Sequence, residues 1–83
     1  MKLQYFAWVR ERIGRGEETL ELPENVKTVD DLLSYLKTLG ENYAYALEKP
    51  ELIRVAIDEE HVDHDSLIGK AHEIALFPPM TGG

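Results

Sequence analysis

The residues best suited to chemistry lie at the end of the 83-residue chain, in the run Pro78-Pro79-Met80-Thr81-Gly82-Gly83. Gly82 and Gly83 carry no side chains, so their backbone can thread a narrow channel and bring a bare α-carboxylate up to ATP or another electrophile. Pro78 and Pro79 remove consecutive N–H donors and restrict φ. A preceding strand therefore stops there, and the last six residues leave as a stiff segment reaching about 20 Å when extended. Fraying is the ordinary fate of terminal glycines. The combination of a closing strand, two prolines, Thr81 and Gly-Gly favours a working tail instead.

Other chemistry-bearing residues are less well placed. His61, Asp63, His64 and Asp65 have the right types for metal ligation, but alternate residues of a strand diverge and nothing distant is identifiable as completing a shell, so they read as a polar turn with no metal. His72 reads as a solvated residue before the last strand, not a general base. The absence of cysteine excludes disulfides, thiolate catalysis and cysteine-based metal sites together. No histidine, carboxylate and nucleophile grouping and no phosphate-cradling loop stands out, so a self-contained enzyme is disfavoured.

A net charge of -7 surrounds the chain with a negative field, which repels nucleic acid and anionic lipid and favours a protein partner with a basic docking face. A hydrophobic share of 43% is enough for one core, and no linker divides it. Met1-Lys2-Leu3 runs straight into a strand pattern without a secretion signal, and no stretch approaches the roughly 20 apolar residues of a membrane span, so the expected location is cytoplasmic.

The elements that must position the tail follow from hydrophobic period. Leu3, Tyr5, Ala7 and Val9 alternate with polar or outward residues, predicting a strand over residues 2–8 with Phe6 pointing outward. Arg10 to Gly14 reads as a short helical turn stopped by Gly14, with Arg10 and Arg12 on a solvated face or holding an acidic partner segment. Thr19 to Leu22 forms a second strand ended by Pro23. Thr28 and Asp31 have capping-box spacing before a helix whose stripe is Val29, Leu32, Leu33, Leu36 and Leu39, with Gly40 as its stop. Tyr43, Ala44, Ala46 and Leu47 form a shorter helix or a packed loop before Pro50. Ile53, Val55 and Ile57 make a strand that turns at Asp58-Glu59-Glu60 into His61-Val62, and Ile74 and Leu76 face inward on a closing strand.

Two strands, a long helix, a hairpin and a last strand suit an α+β, β-grasp roll in which a mixed sheet wraps one main helix. A right-handed crossover then sets the first and last strands side by side and parallel. The domain is residues 1–77, and residues 78–83 are its protruding tail. Phe6 and Phe77 fall on the outward parity of those neighbouring strands and would form an aromatic docking patch.

Tyr5-Phe6-Ala7 with Val9-Arg10-Glu11, Gly14, the helix from Val29 to Leu39 and the ending Leu76 to Gly83 together span nearly the whole chain. On these residues the sequence closely resembles the small subunit of molybdopterin synthase, a ubiquitin-like sulfur-carrier family. The resemblance implies that an E1-like, ATP-using enzyme adenylates the Gly83 α-carboxylate and that a sulfur donor converts it to a thiocarboxylate. ATP would serve only transiently, with no cofactor held permanently, and the chain alone would be non-catalytic. The tail would then enter the large synthase subunit, where sulfur passes to a cyclic pterin precursor and builds the dithiolene that later holds molybdenum.

By the same resemblance, Gly82 gives the tail access, and Phe6, Phe77, Pro78, Pro79, Met80 and Thr81 meet the partner. Met80 stands where the family would carry a small or β-branched residue. The Phe77-Pro78-Pro79 run matches this carrier better than the related thiamine-pathway carrier. A protein-conjugating modifier, with a lysine amine attacking the activated glycine, and a plain β-grasp binding module are the other readings.

Overall fold

The computed structural model, which describes residues 1–79, places strand β1 at Lys2–Tyr5, helix α1 at Ala7–Ile13, β2 at Glu17–Thr19, α2 at Val29–Lys37 and α3 at Glu41–Ala46. A 3-10 turn at Pro50–Leu52 leads to β3 at Arg54–Ile57, β4 at Glu60–Val62 and β5 at Glu73–Phe77. The sheet order is β2-β1-β5-β3-β4, with β1 and β5 parallel and the other pairs antiparallel. This is the expected mixed β-grasp sheet, and the parallel pairing of first and last strands is the one the crossover rule predicts.

Alternation builds the inner face. Leu3 and Tyr5 on β1, Ile74 and Leu76 on β5 and Val55 on β3 are buried, and they meet Val29, Leu32, Leu33 and Leu36 from α2. The capping box forms as read: the Asp31 amide donates to Thr28 Oγ1, and the Thr28 amide donates to Asp31 Oδ2. Asp31 and Asp30 lie in the first turn, where the helix dipole favours them. The shorter helix forms as α3, burying Tyr43 and Ala46.

Three expectations are corrected. The opening strand stops at Tyr5 instead of running to residue 8, because the chain turns at Ala7 (φ 51) and enters α1. Val9 and Ile13, one helical turn apart, are the buried residues there, whereas Ala7 is exposed. The second strand begins earlier than Thr19, at Glu17. The return through Gly14 (φ 94) is so tight that the Tyr5 amide already donates to Gly16 O at 2.8 Å. Leu20 and Leu22 then flank the core beyond the strand.

The third correction concerns Gly40. Helix α2 ends at Lys37, where the Thr38 hydroxyl donates to Tyr35 O at 2.6 Å and occupies a last-turn carbonyl. Gly40 instead precedes α3 in extended backbone (φ 166) that does not require glycine, and Leu39 leaves the apolar stripe, 38% exposed.

Candidate functional site

The end of β5 leads into Pro78 and Pro79, the root of the expected tail, and the sheet holds it from both sides. Leu76 lies opposite Tyr5 of β1 and Val55 of β3, and Phe77 lies opposite Arg54 of β3. One residue past β1, the Phe6 amide donates to Leu76 O at 3.1 Å, so Phe6 and Phe77 flank the same end of the β1–β5 pair. Phe6 is 46% exposed, in extended backbone at the head of α1 and not inside a strand. Phe77 is half-buried, and its ring meets that of His61 edge to face, 5.2 Å between centroids.

Pro78 and Pro79 follow directly, half-buried and outside any strand. Neither can donate to a ladder, which is why pairing ends at Phe77. Met80, Thr81, Gly82 and Gly83 lie outside the described residues.

Beneath this root, a polar cluster fixes β1. Glu18 Oε2 accepts hydrogen bonds from the hydroxyls of Tyr5 and Tyr43, each at 2.7 Å, and Arg15 pairs with Oε1 at 3.1 Å. Burial, then the bond to Glu18, holds the Tyr5 phenol well above its ordinary ionisation range and raises that of Tyr43. Glu18 was not singled out in the sequence; only Arg15 is its local neighbour, three residues back, while the two tyrosines come from β1 and α3, 13 and 25 positions away, and no local spacing announces them.

The other candidates are used structurally. His64 Nε2 lies 2.7 Å from Ile53 O and, since a carbonyl only accepts, carries the proton and donates; Nδ1 stands 3.7 Å from Asp30. His72 contributes its backbone amide to Asp58 Oδ1. Among the described residues, no cluster of three or more His, Cys, Asp or Glu is arranged to hold a metal. The Arg12 guanidinium stacks over the rings of Trp8 on α1 and Tyr45 on α3 at 4.5 and 4.3 Å, so it is anchored between the two helices and only partly solvated, where a solvated face was expected. The recess lined by Met1, Leu22, Val26 and Leu67 lies at the opposite end of β1 from Pro78, with Glu24 and Lys27 as its charged side chains. No helix among the described residues is long and apolar enough to cross a membrane.

Comparisons with known proteins cover the chain nearly from end to end. The ThiS family profile matches residues 3–83. A molybdopterin synthase sulfur carrier subunit of Haemophilus influenzae is 35% identical, covering 100% of this chain and 99% of its own. Its counterpart in Escherichia coli is 32% identical over the same shares. Among solved structures, small archaeal modifier protein 1 (SAMP1) of Haloferax volcanii superposes with a TM-score of 0.72 at 26% identity, covering 100% of this chain and 98% of that one. A Pyrococcus furiosus protein assigned as molybdopterin converting factor subunit 1 gives 0.74 at 26%, covering 95% of each. A continuous match of this extent, on a fold whose last strand is held at the centre of the sheet, shows that the chain belongs to the ThiS family.

Proposed function

We infer that the chain is the sulfur carrier of molybdopterin biosynthesis, a non-catalytic subunit that works with the large subunit of molybdopterin synthase. The observation that carries this is the full-length identity to two molybdopterin synthase sulfur carrier subunits. The rooting of the last strand supports it: β5 is paired on both sides up to Phe77, and Pro78-Pro79 ends the sheet there.

In this proposal residues 1–77 are the docking domain and residues 78–83 the carrier tail. The Gly83 carboxylate attacks the α-phosphate of ATP on an E1-like enzyme and releases pyrophosphate. A sulfur nucleophile then attacks the acyl carbon, AMP leaves, and the terminus becomes a thiocarboxylate. Gly82 lets the tail pass a narrow channel, and Pro78, Pro79, Met80 and Thr81 line its route into the large subunit. Phe6 and Phe77, flanking the root, anchor docking. ATP is consumed on the partner and no cofactor stays bound. The working compartment is the cytoplasm.

Intact-protein mass is the direct test. Incubation with ATP, the activating enzyme and a sulfur donor should add the mass of one sulfur replacing one oxygen, and only when Gly83 has a free carboxylate. Sulfur retained on a chain lacking Gly82-Gly83 would place the chemistry elsewhere. The likeness to small archaeal modifier protein 1 favours one second reading, transfer of the activated glycine to a protein amine. The same mass experiment in a cell extract distinguishes it, because conjugation gives species heavier by a whole second protein.

A further inference from the structure

His61 belongs, by sequence, to a polar turn, yet the fold brings it onto the open face of the sheet beside the root of the tail. It lies opposite Ala56 of β3, and Ala56 lies opposite Ala75 of β5. These small side chains leave room for the His61 ring to reach over β3 and meet Phe77, with planes 63° apart. Ala56 is only 8% exposed on that face. Arg54 of β3 and Asp63, one residue past β4, line the same shallow recess as His61. β5 presents Phe77 there, while its own titratable residue, Glu73, sits at the other end of the strand opposite Lys2.

Imidazole is the side chain whose ordinary change of charge falls between pH 5 and 8. Neutral, His61 extends the aromatic surface of Phe77. Protonated, it puts a second cation near Arg54 on a surface that must shed water when a partner covers it, and desolvation disfavours the charged form. Asp63 opposes this in part, but it is exposed and solvent screens it.

Resting on the reading of Phe77 as a docking residue, we propose that His61 is a specificity-determining residue of that face: the large subunit binds the carrier with His61 neutral, so docking expels a proton and weakens as pH falls. The sign follows from linkage, since the free carrier binds more protons than the complex and acid therefore favours dissociation.

Titration calorimetry of the full chain against the large subunit tests this with wild type, His61→Phe and Phe77→Ala. His61→Phe keeps a ring beside Phe77 but carries no proton. Wild-type affinity should fall about tenfold between about pH 7.5 and about pH 5.5, and the His61→Phe affinity by no more than about threefold. Paired buffers of different ionisation enthalpy should register proton release for wild type alone. Equal pH slopes in wild type and His61→Phe, or tighter wild-type binding in acid, overturn the proposal and leave the docking face standing. Unchanged affinity of Phe77→Ala at the higher pH overturns the docking face itself and this inference with it. Circular dichroism of both variants verifies that each is folded before its affinity is read.

Discussion

The hydroxyl of Tyr43, on α3, donates to Glu18 Oε2 at 2.7 Å and ties the helical layer to β2 across a separation of 25 positions. Tyr5 uses the same oxygen, and the Glu18 side chain is only 9% exposed. Glu18→Ala would strand two buried phenols, so it should lower unfolding free energy by about 2 to 3 kcal/mol. Glu18→Gln keeps an acceptor in place and should cost roughly half as much. Urea unfolding of both variants measures the difference, and equal losses would show that packing, not hydrogen bonding, carries the effect.

Acid should weaken the domain through Asp58. Its carboxylate accepts the Glu73 and His72 amides, each at 2.9 Å, and these bonds, Glu73 first, hold its pKa below the usual 3.8. A folded-state value below the unfolded one contributes stability that is full above the unfolded pKa and is lost as pH falls through the folded one. Asp31 adds to the same limb, lowered chiefly by the Lys27 amide and then by that of Thr28. Thermal melting below about pH 4 should therefore show a decline that is shallower in Asp58→Asn than in wild type. Parallel acid limbs would remove Asp58 from the account.

Between β3 and β4, Asp58 and Glu59 both adopt left-handed backbone, with φ of 48 and 72. A two-residue hairpin of this type favours glycine at its second position. Glu59→Gly should raise stability by about 0.5 to 1 kcal/mol, read as a shift in the denaturation midpoint without a change in slope. A loss of stability would contradict the assigned turn.

For docking, Phe6→Ala and Phe77→Ala should each weaken large-subunit binding by about 1 to 3 kcal/mol. Phe6, at 46% exposure, should cost little stability in the isolated chain. Calorimetry and melting curves on the same preparations separate the two effects, and unaltered binding by both variants would remove the patch.

Deleting Gly82-Gly83 removes residues beyond the end of β5 and should leave the melting temperature within about 2 °C of wild type while abolishing sulfur loading. Intact mass and circular dichroism give the two readings, and normal loading would refute the carrier tail.

Much of this fold was legible where one local signal acts alone. Thr28 and Asp31 mark the start of α2 because their side chains serve amides three residues away, and Gly14 marks the end of α1 because its backbone is left-handed. The opening strand misled because Leu3, Tyr5, Ala7 and Val9 continue a period of two while Val9 and Ile13 already share a helical face. Two periods overlap there, and only the turn at Ala7 decides between them. The β2 boundary was hidden because Glu17 and Glu18 carry no apolar alternation; backbone pairing with β1 alone selects them. At the candidate site, Pro78-Pro79 announced the end of β5 locally. His61 did not, because its neighbour Phe77 lies two strands away across β3 and sequence spacing cannot encode that meeting.

The position of β5 in the sheet also has a mechanical consequence. On the proposed reading the end of the chain enters a partner and must later be withdrawn, and the tension then acts along β5 from Pro78. Because β1 and β3 grip that strand from opposite sides, the load falls on two ladders in shear instead of peeling one edge bond by bond. The domain is thus built like a plug fastened to its cord at the middle, where a pull tends to move the whole body before it unravels any part.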